Sequence, residues 1–306
     1  MRFLFVGLGS IATKHIKDLI SILEKRETEY EIYVLRRDIG PLSSDLVAYS
    51  INQITELGKL KFDVAFITNP TNLHYEVLNS LMGKVKYFFI EKPIFESCQY
   101  DLTKLGITEK NAYIACPLRH SNVYKELKKI VNAKKVFNSR IICSSYLPDW
   151  RPDTDYRKVY SARKSLGGGV TLDLIHELDY MTDLFGMPEK VYNIHGKYSQ
   201  LEIDSDDLSV YIAVYNDKIC EVHLDYFGKT YQRKCEIFTE EGTYIADFKS
   251  NTIEYPNGAL INCQNDEKSN LYLEMEYFLD FISSKFVDNY NSPQNAFEVL
   301  KITLGE

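Results

Sequence analysis

Arg2-Phe3-Leu4-Phe5-Val6-Gly7-Leu8-Gly9-Ser10-Ile11-Ala12 is the stretch on which the fold turns. An apolar run of strand character, Arg2–Val6, stops at Gly7, and apolar residues at helical spacing follow through Ile11–Leu23. Gly7-x-Gly9-x-x-Ala12, set between a strand and a helix, has the form of a dinucleotide-binding fingerprint. The first glycine permits a tight turn, and the second lets backbone N–H groups approach a diphosphate. The small Ala12 lets helix and strand pack closely. The helix that begins at Ser10 and Ile11 offers its N-terminus to the same anion.

Working outward, strands are expected at Glu31–Leu35, Asp63–Thr68, Tyr87–Ile90 and Ala112–Cys116, with a helix over Thr71–Met82. Strands alternating with helices call for a doubly wound parallel sheet, the Rossmann arrangement. In that arrangement an acid near the end of the second strand grips the ribose 2′-hydroxyl of NAD. Here Arg36-Arg37 stands there, followed by Asp38. Guanidinium matches phosphate bidentately, so the pair favours the 2′-phosphate of NADP, and Asp38 keeps NAD open.

After about residue 120 the pattern changes. A helix Asn122–Asn132 and a strand Ser139–Tyr146 lead into a polar, aromatic loop, Leu147–Lys164, and the run Gly167-Gly168-Gly169. One helix is expected from Val170 to Leu184. Extended segments then follow at Val191–His195, Leu208–Tyr215, Lys218–Tyr226, Lys234–Thr239 and Thr243–Asp247, joined by turns as in an antiparallel meander. Helices return at Asn270–Ser284 and Pro293–Leu304. The expected division is a dinucleotide-binding Rossmann domain, 1–120, and an α+β domain, 121–306, with a large open, mainly antiparallel sheet for substrate binding and oligomerisation.

Composition narrows the function. The 306 residues are 45% hydrophobic and 26% charged, ordinary for a globular chain, and carry a formal net charge of −7. That argues against nucleic acid or an anionic membrane as partner, since both favour a basic face. No apolar run approaches the roughly 18–20 residues needed to span a bilayer, and the glycine-broken amino end does not read as a signal peptide. Six scattered cysteines show neither disulfide nor zinc spacing, and no metal is expected. The expectation is a cytoplasmic protein.

Four further signals accompany the fingerprint. Thr68-Asn69-Pro70 closes a strand and leads to His74; Glu91-Lys92-Pro93 closes another. Arg119-His120 follows Pro117, and Gly167-Gly168-Gly169 precedes Asp173 and His176. In this order the set resembles the Gfo/Idh/MocA oxidoreductases, named for glucose–fructose oxidoreductase and inositol dehydrogenase, along essentially the whole chain. The loop Tyr146–Pro152 and His176-Glu177-Leu178-Asp179-Tyr180 look like the branch associated with surface-polysaccharide and nonulosonate sugars.

The resemblance implies hydride transfer between a nicotinamide cofactor and a secondary alcohol or ketone of a sugar, sugar acid or nucleotide-sugar. Such a reaction needs a group to take or give the alcohol proton. Lys92, just past a strand's carboxyl end where ligands bind in such sheets, is the candidate. Its bond to Pro93 is often cis in the family. Asp173 and His176 are the other catalytic candidates. Three apart on one helix they would share a face, with His176 relaying a proton or holding the substrate hydroxyl. The family's commoner spacing has one more residue between them, and one residue rotates a helical side chain by about 100°.

Cofactor contacts are expected from Gly7, Gly9, Ser10, Ile11, Ala12, Arg36, Arg37, Thr68, Asn69, Pro70, His74, Glu91 and Lys92. Substrate contacts are expected from Lys92, Arg119, Tyr156, Arg157, Asp173 and His176. Tyrosine stacks on sugar faces, and arginine suits a carboxylate or phosphate. Asp179 reads as a structural acid, and His15 as a residue packing near the cofactor. A non-catalytic NAD(P)-binding regulator and a glycosidase with tightly held NAD are the alternatives. The sheet strand Ser209–Tyr215, apolar on both faces, points to a homodimer or homotetramer formed through the second-domain sheet.

Overall fold

The computed structural model describes residues 1–265, 268–283 and 288–306. The first elements are β1 (Arg2–Val6), α1 (Ser10–Lys25), β2 (Glu31–Leu35), β3 (Ile51–Ile54), β4 (Phe62–Ile67), α2 (His74–Ser80), β5 (Val85–Ile90) and β6 (Ala112–Ile114). There follow α3 (Asn122–Ala133), β7 (Val136–Tyr146), α4 (Val170–Asp173) and α5 (His176–Phe185). Strands β8 (Lys190–Gly196), β9 (Leu208–Val214), β10 (Ile219–Asp225) and β11 (Phe227–Thr239) come next, then β12 (Gly242–Asp247), β13 (Thr252–Glu254) and β14 (Leu260–Asn262). Helices α6 (Asn270–Ile282) and α7 (Pro293–Leu304) end the chain. The helix end expected at Ser284 lies outside the described residues.

Contacts divide the chain into two units. The first is Met1–Pro117 with Lys268–Phe297, and the second is Leu118–Glu267 with Glu298–Glu306. In the first, six parallel strands run in the order β3-β2-β1-β4-β5-β6. Phe3, Leu4 and Phe5 of β1 and Val64, Ala65 and Phe66 of β4 are all fully buried. A parallel sheet covered on both faces buries consecutive side chains, which is why Phe3–Val6 and Val64–Ile67 read as apolar runs. α1 covers one face through Ala12, Ile16, Leu19, Ile20 and Leu23, the spacing of a single helical stripe. The strand order reverses at β1, so a crevice opens at the carboxyl ends of β1 and β4, the place where such sheets bind ligands.

α6 belongs to this first unit, although a linear division after residue 120 assigns it to the second. It lies beside α1 and drives Phe278 against Phe66 and Phe89, at ring separations of 5.8 and 5.2 Å. Burying a side chain of that size contributes about 2 kcal/mol. Polar contacts fix the register of the packing: the fully buried Glu274 accepts hydrogen bonds from the Tyr113 hydroxyl at 2.9 Å and the Cys116 N–H at 2.5 Å.

The second unit is built on an eight-stranded sheet of order β14-β13-β12-β11-β7-β10-β9-β8. Neighbours are antiparallel except β7 and β10. A parallel pair needs a long crossover, and the chain between these two strands supplies it with the 147–166 loop, α4 and α5. One sheet face is core: Ser139, Ile141 and Cys143 of β7 and Cys220, Val222 and Leu224 of β10 point into it. The short strands β3, β13 and β14 were not expected. At three or four residues each, their register comes from the neighbouring strand rather than from any pattern of their own.

Candidate active site

In the first unit the fingerprint forms a cradle. Gly7 has φ +87°, and a Cβ placed on it would lie 3.1 Å from the Asn69 backbone, so only glycine sits there without strain. Gly9 is the N-cap of α1 without a side chain to cap it, and the first turn holds no acid. Exposed N–H groups and the positive end of a sixteen-residue helix are thus left for an anion. Ala12 is fully buried against the sheet, as a small residue at that position must be. A dinucleotide diphosphate fits this cradle.

The other strand ends complete it. At the end of β2, the half-buried Arg36 donates to the Gln53 side-chain oxygen at 2.9 Å and to the Gly40 carbonyl at 3.3 Å, while Arg37 is exposed. After β4, Thr68 Oγ1 donates to the Val6 carbonyl at 2.9 Å, and Asn69 and Pro70 form the rim beside Gly7. After β5 come Glu91, Lys92 and Pro93, and the Lys92–Pro93 bond is cis. His74 is buried, with Nε2 at 3.0 Å from the Asn69 carbonyl and Nδ1 at 3.1 Å from the Ile94 carbonyl. Burial pushes its pKa down against the pull of those carbonyls, so the neutral ring donates to one at a time.

Glu91 does not face the cradle alone. Its Oε1 lies 2.5 Å from Nε2 of His15, a 0%-exposed residue of α1. Burial works to raise the Glu91 pKa, but the His15 hydrogen bond and the nearby Lys92 outweigh it and hold the carboxyl below its usual range.

In the second unit the expected single helix over Val170–Leu184 is broken. α4 ends at Asp173, Leu174 leaves helical geometry with ψ 27°, and α5 starts at His176. The rule that residues three apart share a face does not carry across such a turn. Asp173 is buried and accepts the Tyr226 hydroxyl at 2.5 Å, while His176 is half-buried at the start of α5. The next residue, Glu177, is fully buried and pairs with Arg233 of β11 at 2.8 Å, pinning the first turn of α5 to the sheet. Neither Tyr226 nor Arg233 was anticipated. Each lies about fifty residues from its partner, and a strand tyrosine among 23 tyrosines carries no local signal.

Arg119, expected at the substrate, has its fork occupied within the unit. Nε and Nη2 donate to the two Asp179 carboxylate oxygens at 2.8 and 2.7 Å, and Nη1 donates to Asp183 at 2.9 Å. The adjacent His120 is buried, and burial together with Lys125 and Arg119 pushes its imidazole down to about 3. Tyr156 accepts a hydrogen bond from the Glu202 N–H at 3.2 Å, and the exposed Arg157 pairs with Asp155 and Glu202. The glycine run is accounted for inside the protein: a Cβ on Gly168 would stand 2.1 Å from the Tyr160 carbonyl oxygen. Its tightness serves loop packing.

Two family models match the chain. Residues 1–112 match the oxidoreductase family's NAD-binding Rossmann fold, and residues 124–245 match the GFO/IDH/MocA C-terminal domain. The chain belongs to the Gfo/Idh/MocA oxidoreductase family. Its first unit is that family's NAD-binding Rossmann domain. No curated protein matches it significantly.

Solved Gfo/Idh/MocA structures are similar throughout. UDP-N-acetylglucosamine 3-dehydrogenase GnnA from Acidithiobacillus ferrooxidans aligns with TM-score 0.78 at 18% identity, over 99% of this chain and 95% of its own. A myo-inositol dehydrogenase from Corynebacterium glutamicum gives 0.75 at 15%, over 99% and 94%. The WlbA dehydrogenase from Bordetella pertussis, in complex with NADH and UDP-GlcNAcA, gives 0.77 at 14%, over 100% and 94%. At these identities the likeness is one of fold. Among the described residues of this Gfo/Idh/MocA chain, no helix is long and apolar enough to cross a membrane.

Proposed function

We propose that the protein is a cytoplasmic dehydrogenase or reductase acting on a secondary alcohol or ketone of a sugar, sugar acid or nucleotide-sugar. The observation that carries this reading is Lys92 at the carboxyl end of β5, in the same row of strand ends as the uncapped α1 N-terminus and the Gly7–Asn69 turn. The sugar and nucleotide-sugar dehydrogenases among the structural neighbours support the substrate class.

Gly7, Gly9, Ser10, Ile11 and Ala12 would hold the dinucleotide's diphosphate, with Thr68, Asn69 and Pro70 bounding it. A bound nicotinamide dinucleotide supplies the hydride acceptor or donor. The Lys92 amine takes the substrate's hydroxyl proton during oxidation and returns it during reduction. His176, at the start of α5, is the further proton-relay or hydroxyl-holding candidate that the family resemblance implies, and Asp173, anchored by Tyr226, sets the start of that segment.

Arg36, with its guanidinium steadied by Gln53, is suited to a 2′-phosphate, so NADP is the proposed cofactor. We further propose that copies pair through the outward face of the second sheet. It presents Tyr192, Ile194 and Ile212 beside Arg140, which bridges Glu221 and Glu236.

NADPH and NADH are titrated into the protein by nicotinamide fluorescence, with Arg36→Asp alongside. NADPH binding that weakens selectively in the variant by roughly tenfold or more is expected, about 1.4 kcal/mol for a lost phosphate contact. Equal or tighter NADH binding reverses the NADP assignment. No binding of either by folded protein refutes the reaction.

A further inference from the structure

We infer that His15 and His74 are positioning residues for Lys92, gripping from both sides the turn that carries it. The inference rests on the reading of Lys92 as the proton-transferring group. Four residues make up the turn: Glu91, Lys92, Pro93 and Ile94. His15 engages the first through the Glu91 carboxylate at 2.5 Å, and His74 engages the last through the Ile94 carbonyl at 3.1 Å. Lys92 and Pro93 are the two residues between these contacts in the chain, and both imidazoles are buried.

The surroundings of His15 argue that it serves this contact. It stands among aromatic rings, with Phe89 edge-on at 5.0 Å and Phe66 at 6.3 Å. Its Nδ1 is buried and has no hydrogen-bond partner among the described residues. A polar ring in an apolar cluster with one nitrogen unsatisfied is a cost to the fold. An apolar side chain of the same size would pack there with less penalty. What such a side chain lacks is the directed bond to Glu91.

Both histidines also lead to the cofactor cradle. His15 belongs to α1, whose N-terminus faces the diphosphate, and His74 reaches the Asn69 carbonyl in the loop that abuts Gly7. The Lys92 turn is therefore tied to α1 through the His15–Glu91 contact and meets the Asn69 loop at His74, whose single N–H serves either the Ile94 or the Asn69 carbonyl. An amine that must meet a substrate hydroxyl loses about a hundredfold in rate for a misplacement near 1 Å, so a two-sided grip has a chemical purpose.

The test uses full-length protein in which lysines are reductively ¹³C-dimethylated, the Lys92 resonance being the one absent from Lys92→Ala. His15→Met and His74→Met are compared with wild type for that resonance, thermal midpoint, NADPH binding and turnover of a sugar substrate found by screening. The Lys92 resonance is expected to move toward those of exposed lysines in both variants. kcat should fall roughly 10–100-fold while KM and NADPH affinity change less. His15→Gln restores both resonance and kcat, because one donated N–H to Glu91 is all that His15 supplies. A Lys92 resonance unmoved in the folded methionine variants overturns the inference. Should one variant fail to fold, the other gives the same reading from the opposite end of the turn. Normal turnover by Lys92→Ala refutes the proton-transfer reading instead, and the two failures are distinct.

Discussion

Replacing Arg119 with methionine tests whether this arginine holds the second unit together or meets the substrate. Arg119 is 4% exposed and makes a two-pronged pair with Asp179 and a third bond to Asp183. Asp183 keeps Lys128 at 2.7 Å and the Tyr124 hydroxyl when Arg119 is gone. The loss therefore falls on Asp179, whose buried carboxylate would be left without its cation. Removing one partner of a buried pair costs about 3–5 kcal/mol. At roughly 2–4 °C per kcal/mol for a unit of this size, the melting midpoint should drop by about 6–20 °C.

The pH dependence has a definite sign. Burial already raises the Asp179 pKa against the opposing pull of Arg119, and removing the guanidinium raises it further. A carboxyl whose pKa is higher in the folded than in the unfolded state binds more protons when folded, so its contribution to stability falls as pH rises. The deficit of Arg119→Met relative to wild type should accordingly be larger at pH 7.5 than at pH 5. Adding Asp179→Asn should recover a substantial part of it. Calorimetry or urea unfolding at the two pH values measures this. A loss below about 1 kcal/mol, or an equal loss at both pH values, refutes the reasoning. Near-normal stability with impaired substrate binding would return Arg119 to the substrate.

Two glycines should separate folding from binding. Gly168→Ala forces a Cβ to within 2.1 Å of a backbone oxygen and should cost on the order of 3 kcal/mol in urea unfolding. Gly9→Ala, where a Cβ meets nothing within 4 Å, should leave stability nearly unchanged yet weaken dinucleotide binding in the fluorescence titration. Equal destabilisation by the two would contradict this account. Burial pushes the Cys143 and Cys235 thiols up to about 12 and raises Cys220 as well, whereas Cys98 is half-buried. Iodoacetamide at pH 8 should label Cys98 first in native protein. Mass spectrometry finding Cys143 or Cys235 modified as fast would show that the sheet core opens to solvent.

The parts of this protein written locally were readable from its sequence. A tight turn, an open helix N-terminus and a small packing residue all fall within Gly7–Ala12, so residue types at fixed spacing disclose the cradle. β1, β4 and β5 declare themselves because both faces of a parallel strand are buried along Phe3–Val6, Val64–Ile67 and Phe88–Ile90, and those consecutive residues must be apolar. Glu91-Lys92-Pro93 and Gly167–Gly169 with Asp173 and His176 are likewise contiguous enough to carry the family resemblance.

What required the tertiary structure is contact between distant segments. That α6 joins the Rossmann unit depends on Glu274 meeting Tyr113 and Cys116, about 160 residues earlier. The break between Asp173 and His176 was hidden because helical periodicity says nothing of the Tyr226 hydroxyl or the Arg233–Glu177 pair that anchor the two sides. Arg119 looked available because an arginine in sequence shows its charge but not its partner. Charge and hydrogen-bonding capacity are properties of a residue, whereas their satisfaction belongs to the packed chain.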